Sequence, residues 1–283
     1  MSTRLEIVWL GHATTEVRFG STRLLTDPVL RDRVGHLRRH RASSMVDQGP
    51  IAAVLISHLH HDHLDLPSLR SLPAGTPLVV PLGAARLVAA SAPGEVTEVA
   101  AGDTVIVEGV KITAVPAEHH TGRLFSRAKG APLGFLMERD GRVAYFPGDT
   151  DLHPVMADLP IPDVALLPIW GWGRTLGSGH LDPERAAHAA TLLRARTVLP
   201  VHWGTFAPLR LRRGAPAWLE HPADRFRLAM SRHAPESRLH VVGPGPDVHR
   251  IASPIVPPEL EQLEQPEQHE QHESEQGRNE HGR

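Results

Sequence analysis

The segment LISHLHHDHLD (residues 55–65) constrains this chain more than any other. Four histidines and two aspartates occupy eight positions directly after the apolar run AAVLIS. Such a run predicts a buried strand, and gathering ionisable groups at its end is unfavourable unless they are paired or hold a cation. Alternate residues of an extended segment share a face, so His58 and His60 aim two imidazoles at one point while His61 falls on the other side. After the turn that must follow, Asp62 and His63 present an oxygen and a nitrogen to a second point nearby. The segment reads as half of a site for two adjacent cations.

The chain has no cysteine, so the remaining donors are nitrogens and oxygens. Three strand-end motifs supply them. VPAEHHTGR offers His119, with His120 as its competitor; YFPGDTD offers Asp149, a carboxylate able to bridge two ions; LPVHWGTF offers His202. The expected sets are His58, His60, His119 and Asp149 for one ion, and Asp62, His63, Asp149 and His202 for the other. Both leave positions open for water, as catalytic sites do, and both suit zinc first, with manganese or iron as alternatives. Taken singly, His119, Asp149 and His202 would read as packed or turn residues, and the cluster at 58–63 gives them a role. His12 in GHAT and Asp27 in LLTDP are candidates for orienting ligating imidazoles.

The other segments predict an α/β architecture. Short strand-like runs fill the first two thirds, and GFLMERDGRVAYFPGD reads as a hairpin turning at Asp140-Gly141. DPERAAHAATLLRA (182–195) reads as a helix with Asp182 as N-cap and Pro183 at its first position. Neighbouring strands followed by strand–helix alternation predict sheets covered by helices. No internal repeat stands out. Residues 257–283 carry eight Glu and two Arg, a charge of −6 that leaves +4 on the rest of a chain whose net charge is −2. With few large apolar residues, this Glu/Gln/His-rich tail is expected to stay unordered beside a single domain over residues 1–256.

No apolar run reaches the ~20 residues of a membrane span, and the N-terminus lacks a signal-peptide pattern. With the absence of cysteine, this predicts a cytoplasmic protein. LRDRVGHLRRHR (30–41) has five Arg and one Asp. It reads as a solvated basic loop, or as a place to meet a phosphate-bearing substrate or the surface of an anionic membrane. Aromatics are not interleaved with the basic residues, so a small molecule or lipid is the expected substrate and nucleic acid is not an expected partner. LPIWGWGRTLG (167–177), with Trp170, Trp172 and Arg174, either borders a cleft or packs.

The H-x-H-x-D-H pattern at 58–63 resembles the signature of the metallo-β-lactamase fold superfamily. WLGHATTEVRFGSTRLLTDPVL, PAEHHTGR, FPGDTDL, GHLDPERAA and VHWGTF, spanning about Trp9 to Phe206, are similar to its N-acylphosphatidylethanolamine phospholipase D-like and ascorbate-6-phosphate lactonase-like branch. The resemblance implies an αβ/βα sandwich of two mixed sheets flanked by helices, with metals in a cleft at one sheet edge. It implies His119 as the ligand, although His120 stands where an aromatic is common in relatives. Asp149 is then the bridging carboxylate, His202 the last ligand, and His180 a cleft histidine near the substrate. A metal-dependent hydrolase follows, in which a dinuclear metal-bound hydroxide attacks, Asp62 orients it and His180 serves the leaving group. HLDPE ahead of VHWGTF leans toward phosphodiesters of phospholipase D type. The alternatives are a lactonase or esterase acting on a small sugar-phosphate-like lactone, and a non-catalytic metal-binding protein of the same fold.

Overall fold

Alternation along the strand Leu5–Gly11 explains how the sheets pack. Leu5, Ile7 and Trp9 enter one apolar cluster while Val8 and Leu10 enter another, the period of two expected of a strand covered on both faces. The first cluster also takes Phe135 and Phe146 from a second sheet, so it fills the space between the two sheets. The other lies on the outer side of the first sheet, where Leu69 of the helix Leu66–Arg70 and Val88 of the helix Ala85–Val88 pack. The computed structural model describes residues 3–41, 49–120, 130–210 and 217–253. The tail expected at 257–283 lies outside the described residues.

Both large sheets have seven strands and the same construction. In the first, an antiparallel series formed by His249–Ile251, Leu5–Gly11, Thr14–Phe19 and Thr22–Thr26 continues into parallel Ala53–Leu55, Leu78–Pro81 and Val96–Val99. In the second, antiparallel Thr104–Val107, Val110–Pro116, Leu133–Arg139 and Arg142–Phe146 continue into parallel Val164–Pro168, Thr197–Val201 and Arg238–Leu239. The topology repeats where the sequence shows no repeat, because it is carried by apolar alternation and turn residues rather than by identities. One such turn is Asp140-Gly141, with φ of 48° and 72°, as a tight hairpin demands.

The helices Pro183–Leu193 and Ala217–His233 pack on each other and add Ala187, Leu193, Phe226 and Met230 to the core. The first starts where the sequence predicts: the Asp182 carboxylate accepts the Arg185 N–H at 2.9 Å, a cap worth about 1 kcal/mol. Two mixed sheets with helices outside form the αβ/βα metallo-β-lactamase sandwich. Among the described residues no helix is long and apolar enough to cross a membrane.

A third, small antiparallel sheet joins Arg33–Val34, Leu37–Arg39 and Phe206–Pro208. It forms from the basic 30–41 stretch because Val34 and Leu37 bury against Val29 and Phe206. Three of the five arginines are engaged by the protein. Arg31 forks onto Asp65 at 2.8 and 2.6 Å, Arg39 is buried over the Phe206 ring, and Arg41 pairs with Glu220.

Candidate metal centre

The site forms where strands end. Asp27 follows Thr22–Thr26, His58 follows Ala53–Leu55, His119 follows Val110–Pro116, Asp149 follows Arg142–Phe146 and His202 directly follows Thr197–Val201. Side chains beyond the carboxyl ends of strands from two facing sheets meet over one edge of the sandwich. Three of the residues there, His12, Asp27 and His202, have φ of 55°, 34° and 62°. Such left-handed backbone is uncommon for non-glycine residues and concentrates at functional sites.

The donors gather in two groups. His58 Nε2 and His119 Nε2 lie 3.0 and 3.1 Å from His60 Nδ1. On the other side His63 Nε2 lies 3.0 Å from His202 Nε2, and Asp62 stands with them. Asp149 reaches the second group, with Oδ2 3.2 Å from His63 Nε2 and Oδ1 3.2 Å from His202 Nε2. It also forms a cluster with His119 and His180, so it faces both. His119 turns inward, while His120 is exposed and contacts the Ser178 hydroxyl at 2.8 Å.

Each histidine that turns Nε2 inward has Nδ1 tied behind it. The partners are the Ser57 hydroxyl for His58 at 3.0 Å, Asp27 for His63 at 2.7 Å, the Gly179 carbonyl for His119 at 2.6 Å and the Trp170 carbonyl for His202 at 2.7 Å. These contacts place the Nδ1 protons of His63, His119 and His202 on their acceptors and leave Nε2 with a lone pair, the arrangement metal-ligating imidazoles require. Asp27 is held in turn by the Ser57 N–H at 2.7 Å and the Ser57 hydroxyl at 2.5 Å. Gly148 lets Asp149 approach: a Cβ there would lie 2.5 Å from Ser57 Cβ, and its φ is 63°.

Charge agrees with this geometry. Burial pushes His202 down to about 3 and His60 to about 4, and takes His58 well below the ordinary histidine value, so these imidazoles present lone pairs at neutral pH. Burial opposes ionisation of Asp149, but the neighbouring His202 and His63 outweigh it and hold the carboxyl well below its usual range. Asp62 behaves likewise, burial being outweighed by its hydrogen bond from His12 together with the neighbouring His63 and His202. His63 is the exception: burial lowers it, but Asp149 and Asp27 together raise it well above its ordinary value, so its Nε2 proton is one that a bound cation would displace. Asp149 Oδ1 is buried and, among the described residues, has no hydrogen-bond partner. An ionised oxygen left bare beside converging imidazole nitrogens fits a cation.

A cleft of about 660 Å³ opens onto these donors. His60, Asp62, Asp149 and His202 form its floor, and His180 stands on one side with Nε2 3.5 Å from Asp149 Oδ2. Its walls are largely apolar: Val34 and Leu37 from the small sheet face Trp172 and Leu176 from the glycine-rich loop, and the Trp172 ring meets His36 edge-on at 4.9 Å. Trp170 is instead partly buried against the core. The role of the small sheet as a cleft wall has no signal in the sequence, and neither do the backbone carbonyls of Gly179 and Trp170.

A family model for the Beta-lactamase superfamily domain matches residues 22–203. The chain belongs to the beta-lactamase superfamily. This superfamily member is 35% identical over 254 residues to a UPF0173 metal-dependent hydrolase of Nitratidesulfovibrio vulgaris, covering 87% of this chain and 94% of the relative. It is 29% identical over 256 residues to the N-acyl-phosphatidylethanolamine-hydrolyzing phospholipase D 1 of Caenorhabditis elegans, covering 78% and 68% of the two chains. Among solved structures, the metallo hydrolase Igni18 of Ignicoccus hospitalis shares the fold, with a TM-score of 0.67, 22% identity, and coverage of 89% of this chain and 100% of that one. The protein is a metal-dependent hydrolase of the metallo-β-lactamase fold, with a His/Asp cluster able to bind metal.

Proposed function

We propose that the protein holds two divalent cations, zinc in the first instance, and cleaves phosphodiesters of phospholipid type in the cytoplasm. The observation that carries this reading is the apolar-walled cleft converging on the two donor groups. Such walls suit an acyl-bearing substrate, and the floor suits a phosphoryl group. The similarity to a phospholipase D supports the same chemistry. His58, His60 and His119 would hold one ion, Asp62, His63 and His202 the other, and Asp149 both. Ions bound there make water nucleophilic at neutral pH and stabilise charge developing on the phosphoryl oxygens.

The chain's own residues do the rest. Asp149 offsets the repulsion between two cations. Asp62 orients the attacking water by accepting its hydrogen bond. As the water oxygen bonds to phosphorus it passes one proton to Asp62, and as the bond to the headgroup oxygen breaks His180 gives its proton to the leaving alkoxide. Burial lowers His180, but Asp149 and the Gly177 and Ser178 carbonyls together raise it above the ordinary value in the cation-free protein. The basic stretch 30–41, whose residues 34–37 line the cleft, is the segment we assign to peripheral contact with an anionic membrane.

The test is hydrolysis of an N-acylphosphatidylethanolamine in mixed micelles by the metal-loaded full chain, with Asp149→Asn as the blank. Release of phosphatidic acid above the blank is expected. No release from protein shown to carry metal overturns the phosphodiester reading, and turnover of a sugar-phosphate lactone in its place would assign carbonyl chemistry to the same residues.

A further inference from the structure

His12 is fully buried at a tight turn, yet neither of the expected ligand sets includes it. The turn is wedged in place: Gly11 has φ of 115°, and a Cβ there would stand 2.8 Å from Arg39 Nη1 and 3.0 Å from Thr205 Cγ2. Three backbone contacts fix His12 itself. Its N–H donates to the Thr205 hydroxyl, and its carbonyl accepts from the His202 N–H and the Trp9 indole, each at 2.9 Å. The side chain then makes two more contacts. Its Nε2 lies 3.0 Å from Asp62 Oδ2, and its ring lies over the His202 ring with centroids 3.8 Å apart.

One residue therefore touches two of the three donors of one group, and those donors come from different sheets. Asp62 lies in the loop after a strand of the first sheet, and His202 ends a strand of the second. The other group is braced differently, by Ser57 behind His58 and the Gly179 carbonyl behind His119. A carboxylate with one oxygen held by a buried N–H keeps its other oxygen aimed. The strained φ of 55° is tolerated because both backbone polar groups of the turn are satisfied.

We propose that His12 is a positioning residue for the second cation. Its Nε2–H fixes Asp62 while its carbonyl and ring fix His202, so one half of the centre depends on it and the other does not. This rests on the two-ion reading of the site, which is tested separately by the metal content of the unaltered protein.

Three full-length variants test it. His12→Gln keeps an N–H within reach of Asp62. His12→Asn suits the left-handed backbone but is too short to reach. His12→Leu fills the space without a donor. Each is stripped, reloaded with zinc and dialysed, its metal counted by mass spectrometry and its affinity measured by chelator competition, with thermal unfolding recorded alongside. Unaltered protein and His12→Gln should hold about two ions. His12→Asn and His12→Leu should keep one tightly and bind the second about 10–100-fold more weakly. Two ions at unaltered affinity in folded His12→Asn or His12→Leu overturn the proposal, and so does equal loss in His12→Gln. A single ion on the unaltered protein overturns the two-ion reading and, with it, the assignment of His12 to a second cation.

Discussion

His63 Nδ1 lies 2.7 Å from Asp27 Oδ2, with both side chains fully buried. This contact fixes which nitrogen of His63 faces the cleft. Burial pushes Asp27 up while His63 and Ser57 pull it down, so a proton is held between the two residues and belongs on His63 Nδ1. Asp27→Asn replaces an acceptor pair with one acceptor and one donor, and the new N–H₂ opposes either Ser57 or His63. We expect metal affinity to fall about 10–100-fold. Chelator competition at neutral pH checks this, and unchanged affinity would remove Asp27 from the centre.

Asp149 lies against His63 and His202 of one group and clusters with His119 of the other. Asp149→Asn keeps the shape and removes the charge, leaving two cation positions with less to hold them together. Turnover should fall by about 10³-fold or more, the scale of losing a preorganised electrostatic group. Initial rates against metal content decide it: full activity at full metal content would sink the dinuclear reading.

His180 makes a narrower prediction. It stands on the cleft wall, more exposed than Asp149 beside it, and its Nδ1 faces the carbonyls of Gly177 and Ser178 at 3.2 Å. His180→Ala should keep the metal and lower kcat by about 10²–10⁴-fold, the range for a general acid. Loss of metal with loss of activity would make it a ligand instead. An unchanged kcat would make it a bystander.

What the sequence makes legible here is local. His58, His60, Asp62 and His63 lie within six positions, and the period of a strand end is enough to sort them. Choosing between His119 and His120 needs the direction of the chain beyond Pro116, which adjacent residues of one type cannot reveal; the fold turns His119 onto His60 and His120 onto Ser178. The basic 30–41 stretch is harder still. Its charges read as solvated, but Val34 and Leu37 join Val29 in a buried cluster completed by Phe206, far along the chain. Arg39 then enters the interior over an aromatic ring. Helix signals such as Asp182 are legible because cap and capped N–H are three residues apart, whereas the walls of the cleft join segments well over a hundred residues apart.

The first sheet carries a pH-dependent element away from the metal centre. Glu16, on Thr14–Phe19, is buried and takes a forked bond from Arg23 on the neighbouring strand, Nε at 2.6 Å and Nη2 at 3.0 Å, with Arg18 as a second partner. Burial works against its charge, but the two guanidinium groups outweigh it and lower the carboxyl below 4.5 in the folded state. A lowered folded value means that folding favours the ionised form. The stability it lends is fully present above pH 4.5 and is lost as pH falls through the folded value. Glu16→Gln keeps the volume but removes the charge of the carboxylate onto which Arg23 forks, which should cost about 3 kcal/mol at pH 7. Urea unfolding of both proteins from pH 7 to pH 3 checks the size and the sign together. The gap should stay constant down to about pH 4.5 and close below it, because the unaltered protein must then protonate the carboxylate that the variant lacks. A gap that widens with acid would mean that the two arginines do not hold Glu16 ionised.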